Sequence, residues 1–210
     1  MAIRIAVGMG TGGTGKTTTA GNIALLAAER YGRDRVLAVD TDQQGQLLAW
    51  ERAAAQGGAK WPLTLSWLNS RLSEELDRRQ QKADLAVVVI DTSNNHFRLI
   101  THAFASADVV VVPLQPTGMD LDRVAATMES IEFAHAKRPD LRWGVLLSRY
   151  DSRSRDAEHA RRALKDAGLP VFRTQVPSLK RIGHSFGSNV CADPETYGAL
   201  FDEILEGGWS

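Results

Sequence analysis

Short runs dominated by valine, isoleucine and leucine recur along the chain. Between them lie longer stretches in which apolar residues fall three or four positions apart. Residues 3–8 (IRIAVG), 35–40 (RVLAVD), 85–91 (LAVVVID), 109–114 (VVVVPL) and 143–148 (WGVLLS) form the first set. They alternate little between apolar and polar, the mark of strands covered on both faces of a parallel sheet. Residues 63–67 (LTLSW) and 171–173 are weaker strand candidates. The helical set begins with residues 17–30, where Ile23, Leu26 and Ala27 share a face and Gly32 offers a stop. It continues with 47–55, 68–82, 96–105, 121–137, 156–167 and 197–205. Strand and helix in alternation predict an α/β fold: a doubly wound, mostly parallel sheet with helices on both faces. No internal repeat, low-complexity tract or linker divides the sequence. One domain over residues 1–210 is expected, with 56–60 (QGGAK) as a surface loop.

Composition narrows the class. A chain of 210 residues, 43% hydrophobic and 24% charged, is long and apolar enough to bury a core and is not depleted in the way disordered chains are. The formal net charge is zero, so any nucleic-acid binding must come from a local patch. The one cysteine, Cys191, excludes an internal disulfide framework and CxxC metal sites, and points to a reducing, cytoplasmic setting. The apolar stretch 3–8 runs straight into a glycine loop, unlike a signal peptide, and no apolar run approaches the ~20 residues that span a bilayer. A soluble protein is expected.

The strongest chemical signal is Gly10-x-x-x-x-Gly15-Lys16-Thr17, the full P-loop pattern, placed after a strand and at the start of a helix. Glycines let the backbone wrap phosphates closely, so that several N–H groups point at negative charge. The helix N-terminus adds its positive dipole end. Lys16 supplies a mobile charge for the β- and γ-phosphates, and the Thr17 hydroxyl would ligate Mg²⁺. Thr11, Gly12, Gly13, Thr14, Gly15, Lys16, Thr17 and Thr18 are therefore the predicted phosphate contacts. Two further strands end in acids at the carboxyl edge of the sheet, where ligands bind in this architecture: Asp40 and Asp42 after 35–40, and Asp91 at the end of 85–91. Asp91 sits where an acid holds Mg²⁺ in P-loop proteins, and an acid ending an all-apolar strand is costly without a partner.

Together, Thr11–Thr17, Asp40–Gln44 and Asp91–Asn94 resemble the KGGxGKT, D-x-D-P-Q and D-[TS]-P-P segments of the ParA/MinD family of deviant Walker ATPases. Residues 107–121 also look like the family's segment after Walker B, so the resemblance covers most of the chain. In outline it is similar to the small ParA partition ATPases. Three departures stand out: Thr11 occupies the place of the signature lysine, Gln43 replaces a proline, and Ser93-Asn94 replaces a proline pair. A minority of the family, the McdA-like members, also lack that lysine, which in other relatives reaches across a nucleotide-sandwich dimer.

The resemblance implies roles. Asp42 would orient the attacking water, which makes Lys16 and Asp42 the catalytic pair and Thr17, Asp42 and Asp91 the metal set. Otherwise Asp42 caps a helix beginning near Gln44. Asp40 either orders groups around the metal or makes structural hydrogen bonds. The base would lie near Ser148, Arg149, Tyr150 and Asp151 and the Val176–Pro177 loop, with Arg149 and Pro177 in contact; no Asn-Lys-x-Asp signature is present, which favours ATP over GTP. Arg149 or Arg153 would supply the missing cross-dimer charge.

The resemblance also implies an ATP/ADP- and Mg²⁺-dependent homodimer that binds DNA non-specifically, associates with the nucleoid when ATP-bound, and answers to a ParB-like or McdB-like stimulating partner. Arg149, Arg153, Arg155, Arg161, Arg162, Lys165, Arg173, Lys180 and Arg181 crowd one stretch, and no Lys or Arg follows Arg181. Arg155, Glu158 and Arg162 read equally as pairs on a solvated helix face. The acidic segment 196–210 argues against a MinD-like membrane helix. The five histidines, His96, His102, His135, His159 and His184, lack metal-ligand spacing. Rival readings are a metabolic P-loop enzyme of the dethiobiotin synthetase or cobyrinate amidase kind, and a nucleotide-bound interaction module with negligible hydrolysis.

Overall fold

The computed structural model describes residues 2–209 except 59, 94, 95, 117 and 152, and for 118–123 the backbone alone. The described chain forms a seven-stranded sheet. In chain order the elements are β1 (Ile3–Val7), α1 (Lys16–Tyr31), a single 3₁₀ turn (Arg33–Arg35), β2 (Val36–Asp40), α2 (Gln46–Gln56), β3 (Leu63–Ser66), α3 (Leu72–Lys82), β4 (Val87–Asp91), α4 (Phe97–Ala105) and β5 (Val109–Leu114). There follow α5 (Gly118–Lys137), β6 (Arg142–Tyr150), α6 (Asp156–Asp166), β7 (Val176–Pro177), α7 (Lys180–Gly183) and α8 (Pro194–Glu206). The strand order is β3-β2-β4-β1-β5-β6-β7. Every pairing is parallel.

The all-apolar strands explain themselves by their two faces. Val88 and Ile90 pack with Leu72, Ile100 and Phe104 on one side of the sheet. Val87 and Val89, pointing the other way, pack with Ile23, Leu47, Trp50 and Leu200. Val109 to Val112 divide between the same two layers by the same alternation. Each such side chain, removed from water, contributes about 1.5–3 kcal/mol, which makes β1, β4 and β5 the rigid centre of the molecule. Their carboxyl ends carry the loops that matter below. In register, Val7 of β1 and Asp40 of β2 both pair with Asp91 of β4.

Several elements differ from the sequence reading, among them α5, which starts at Gly118 and not at Leu121. Helix α3 starts at Leu72, not Leu68, because Asn69 Oδ1 accepts the Arg71 N–H at 2.9 Å and holds a turn there. Helix α8 starts at Pro194, whose fixed φ suits a first turn. Val171 makes a single parallel bridge to Val145, and the edge strand lies instead at Val176–Pro177. The short helix α7 had no periodic signal.

Candidate functional site

The loop between β1 and α1 crosses the carboxyl edge of the sheet. Gly8 follows the strand because nothing larger fits: a Cβ there would lie 2.4 Å from Phe104 Cε1 and 2.7 Å from Thr92 Oγ1. Gly13 and Gly15 have φ of 81° and 90°, a left-handed region in which a side chain is strained. Gly15 is the residue that caps α1, and its carbonyl accepts the Thr19 N–H at 2.8 Å. The amides of the first turn therefore open toward the loop, as anion binding at a helix N-terminus requires. The Lys16 ammonium bonds back to the Thr11 carbonyl at 2.5 Å. Burial pulls its pKa below the usual lysine value, while Asp91 and Asp42 push it back up.

The three acids have different environments. Asp40 is buried and spends both carboxylate oxygens on backbone: Oδ2 accepts the Leu47 and Leu48 N–H groups at 2.9 and 3.0 Å, and Oδ1 accepts that of Asp42 at 3.0 Å. Of its two readings, the structural one fits: Asp40 ties the first turn of α2 to the sheet. Asp42 is half-buried at the mouth of a cleft lined by Gly13, Gly15, Lys16, Thr17, Thr18 and Arg149. Its Oδ1 accepts the Gln44 N–H at 2.9 Å. The helix of the alternative, capping reading begins at Gln46, two residues beyond Gln44.

Asp91 is buried, and neither carboxylate oxygen has a hydrogen-bond partner within 3.5 Å among the described residues. Burial pushes its pKa up to about 8, with Asp40 and Asp42 adding to the rise and the Thr17 hydroxyl and Lys16 opposing it. The buried hydroxyls of Thr11, Thr14, Thr92 and Ser93 also lack partners among the described residues. Buried polar atoms are ordinarily bonded, so this concentration of unsatisfied oxygens around a phosphate loop fits a charged, hydrated ligand. Among the described residues, no group of three or more His, Cys, Asp or Glu side chains could hold a metal alone. A carboxylate beside a threonine hydroxyl suits Mg²⁺, which keeps waters and takes its other ligands from substrate phosphates.

A second cleft, with a volume of about 230 Å³, adjoins the loop on the β6 side and is lined by Ser148, Arg149, Val176, Pro177, Ile182 and Tyr197, among others. Its walls mix apolar side chains with hydroxyls and a guanidinium, a lining that suits a base and sugar. Arg149 and Pro177 both line this cleft. Arg149 Nη1 also donates to the Gly13 carbonyl at 2.6 Å, whereas Arg153 pairs with Asp151 at 3.1 Å and is largely exposed. Gly12, Thr11 and Thr14 sit in the loop itself; the Thr14 carbonyl accepts the Ser148 hydroxyl at 2.8 Å. Sequence reasoning missed Thr127, whose Oγ1 accepts the Gly10 N–H at 3.2 Å from 117 residues away, and Tyr197, which lines the second cleft. Neither carries a local signal. Of the two residues that replace the family's proline pair, Asn94 lies outside the described residues.

Residues 5–190 match the family described as the CobQ/CobB/MinD/ParA nucleotide binding domain. The chain belongs to this ParA/MinD family of P-loop ATPases. It is 35% identical to maintenance of carboxysome distribution protein A from Gloeobacter kilaueensis, over 84% of this chain and 77% of the relative. It is 31% identical to the chromosome-partitioning ATPase Soj from Thermus thermophilus, over 96% of this chain and 95% of that one. Among solved structures, the fold is similar to apo McdA of Cyanothece, with a TM-score of 0.77, 14% identity and 99% of both chains covered. It is equally similar to cobyrinic acid a,c-diamide synthase of Mycobacterium smegmatis with a bound ATP analog and magnesium, with a TM-score of 0.77, 23% identity, and 98% and 95% of the chains covered. Among the described residues of this member, no helix is long and apolar enough to cross a membrane.

Of the basic stretch, Arg162 pairs with Glu158, Arg173 with Glu203 and Glu206, and Arg181 with Asp193. Arg161 donates to the Phe172 and Arg173 carbonyls. Arg155, Lys165 and Lys180 are exposed and make no ion pair among the described residues.

Proposed function

We propose that this chain is a positioning ATPase of the ParA type. It would bind Mg·ATP in the β1–α1 loop, dimerise in that state, bind DNA without sequence preference and release it on hydrolysis. The observation that supports this best is the bare Asp91 carboxylate beside Lys16 and Thr17 under a left-handed glycine loop. Thr17 and Asp91 would hold Mg²⁺, which supplies charge stabilisation for the γ-phosphate. Lys16 would neutralise the phosphate chain. Asp42, at the cleft mouth with one oxygen engaged by Gln44, would orient the attacking water.

The cargo belongs to the class its relatives serve, a chromosome region, plasmid or carboxysome-like assembly, with a ParB-like or McdB-like partner stimulating hydrolysis. Arg155, Lys165 and Lys180 would bind DNA phosphates. Gel filtration and DNA binding, each with ADP, ATP or no nucleotide over a salt series, test the reading. ATP-only dimers that bind DNA of any sequence support it; assembly and DNA affinity indifferent to ATP would overturn it.

A further inference from the structure

In a regular strand, neighbouring side chains point to opposite faces. Ser148 and Arg149 are neighbours at the end of β6, yet both reach the same loop. The Ser148 hydroxyl donates to the Thr14 carbonyl at 2.8 Å, and Arg149 Nη1 donates to the Gly13 carbonyl at 2.6 Å. The backbone makes this possible. Arg149 has φ 53°, alone among the described non-glycine residues in being positive, and the β6–β7 register slips between Ser148 and Tyr150. A left-handed arginine is strained and persists where the surroundings enforce it.

The consequence is a guanidinium fixed at the boundary of the two clefts, lining both. The hydrogen bond to Gly13 uses one of its five N–H donors. The rest remain beside the loop in which the signature lysine is replaced by Thr11. We propose that Arg149 is a cis phosphate clamp: it binds the phosphate chain of the nucleotide held by its own protomer, and so supplies within one chain a charge that a second protomer would otherwise bring. This rests on the nucleotide reading above and gives Arg149 a role that needs no dimer.

The test is calorimetry of Mg·ADP with wild type, R149A and R149K at concentrations where sedimentation finds monomers, with nucleotide-free melting curves as a control. Removing one charge-assisted hydrogen bond should weaken Mg·ADP binding to R149A about tenfold or more. R149K should recover part of it, and nucleotide-free melting should change little. Three results would overturn the clamp. Unchanged Mg·ADP affinity in R149A with loss of ATP-dependent dimerisation would place the arginine in trans. Unchanged affinity and unchanged dimerisation would leave it without a role. Weakened affinity matched by a large fall in nucleotide-free stability, unrelieved in R149K, would make it a structural brace of the loop. If wild type itself fails to bind Mg·ADP, the nucleotide reading falls, a result distinct from these three.

Discussion

Asp40 and Asp91 are direct partners in the β2–β4 register, yet their carboxylates are opposites: Asp40 is filled by three backbone amides and Asp91 is bare. Two acids side by side at the end of apolar strands thus differ: one is tied to the fold, and the other has no hydrogen-bond partner among the described residues.

Asp40→Ala should therefore act on stability. It strips a charged partner from the Leu47, Leu48 and Asp42 amides. Hydrogen bonds to charged groups contribute about 1.5–3 kcal/mol each and do not add fully, so a net loss of about 3 kcal/mol is expected. That corresponds to a melting temperature lower by roughly 6–12 °C for a chain of this size. Thermal melting without nucleotide checks it.

Asp42→Ala should do the reverse. The side chain lines the cleft and, among the described residues, caps only the Gln44 amide. The variant should fold and bind Mg·ATP while hydrolysis falls by about 100-fold or more. Single-turnover phosphate release measured beside nucleotide binding separates the two effects.

The bare Asp91 carboxylate gives a pH signature. Its pKa is raised to about 8 by burial, above the unfolded value, so the folded state binds the extra proton. Without nucleotide and metal, the contribution of Asp91 to stability must fall as pH rises from about 4 through about 8. D91N, uncharged throughout, should lack this component. The melting temperature of wild type should drop several degrees relative to D91N between about pH 5 and about pH 8, and D91N should lose the Mg²⁺ dependence of nucleotide binding.

How much of this was legible follows from where each signal lives. The phosphate loop, the apolar strands and the acid at 91 were readable because their chemistry is local: a glycine pattern, a run of valines, one carboxylate at the end of a run. Fold and family followed from them. The role of Asp40 was not readable, since its partners Leu47 and Leu48 present free amides only once α2 starts at Gln46 and docks. Thr127 and Tyr197 reach the site from α5 and α8, far along the chain, and look like ordinary helix residues in sequence. Arg149 was flagged by its place after a strand, but its direction depends on a left-handed backbone that no residue pattern announces.

The exposed cations carry the DNA prediction. Replacing Arg155, Lys165 and Lys180 with alanine should weaken ATP-dependent DNA binding about equally for all sequences. The salt slope should fall by about 1 for each cation that no longer meets a phosphate. Fluorescence anisotropy across a salt series reads both quantities, and an unchanged slope would remove these residues from the interface.

In the proposed function, the β1–α1 loop holds the phosphates of a nucleotide with Lys16 as its charge. Isothermal titration of Mg·ATP into wild type and Lys16→Ala tests it most directly. Saturable one-to-one binding to wild type, weakened about 100-fold or more by the substitution, is the predicted result. Binding that is absent from folded wild type, or indifferent to the loss of the Lys16 ammonium, would contradict it.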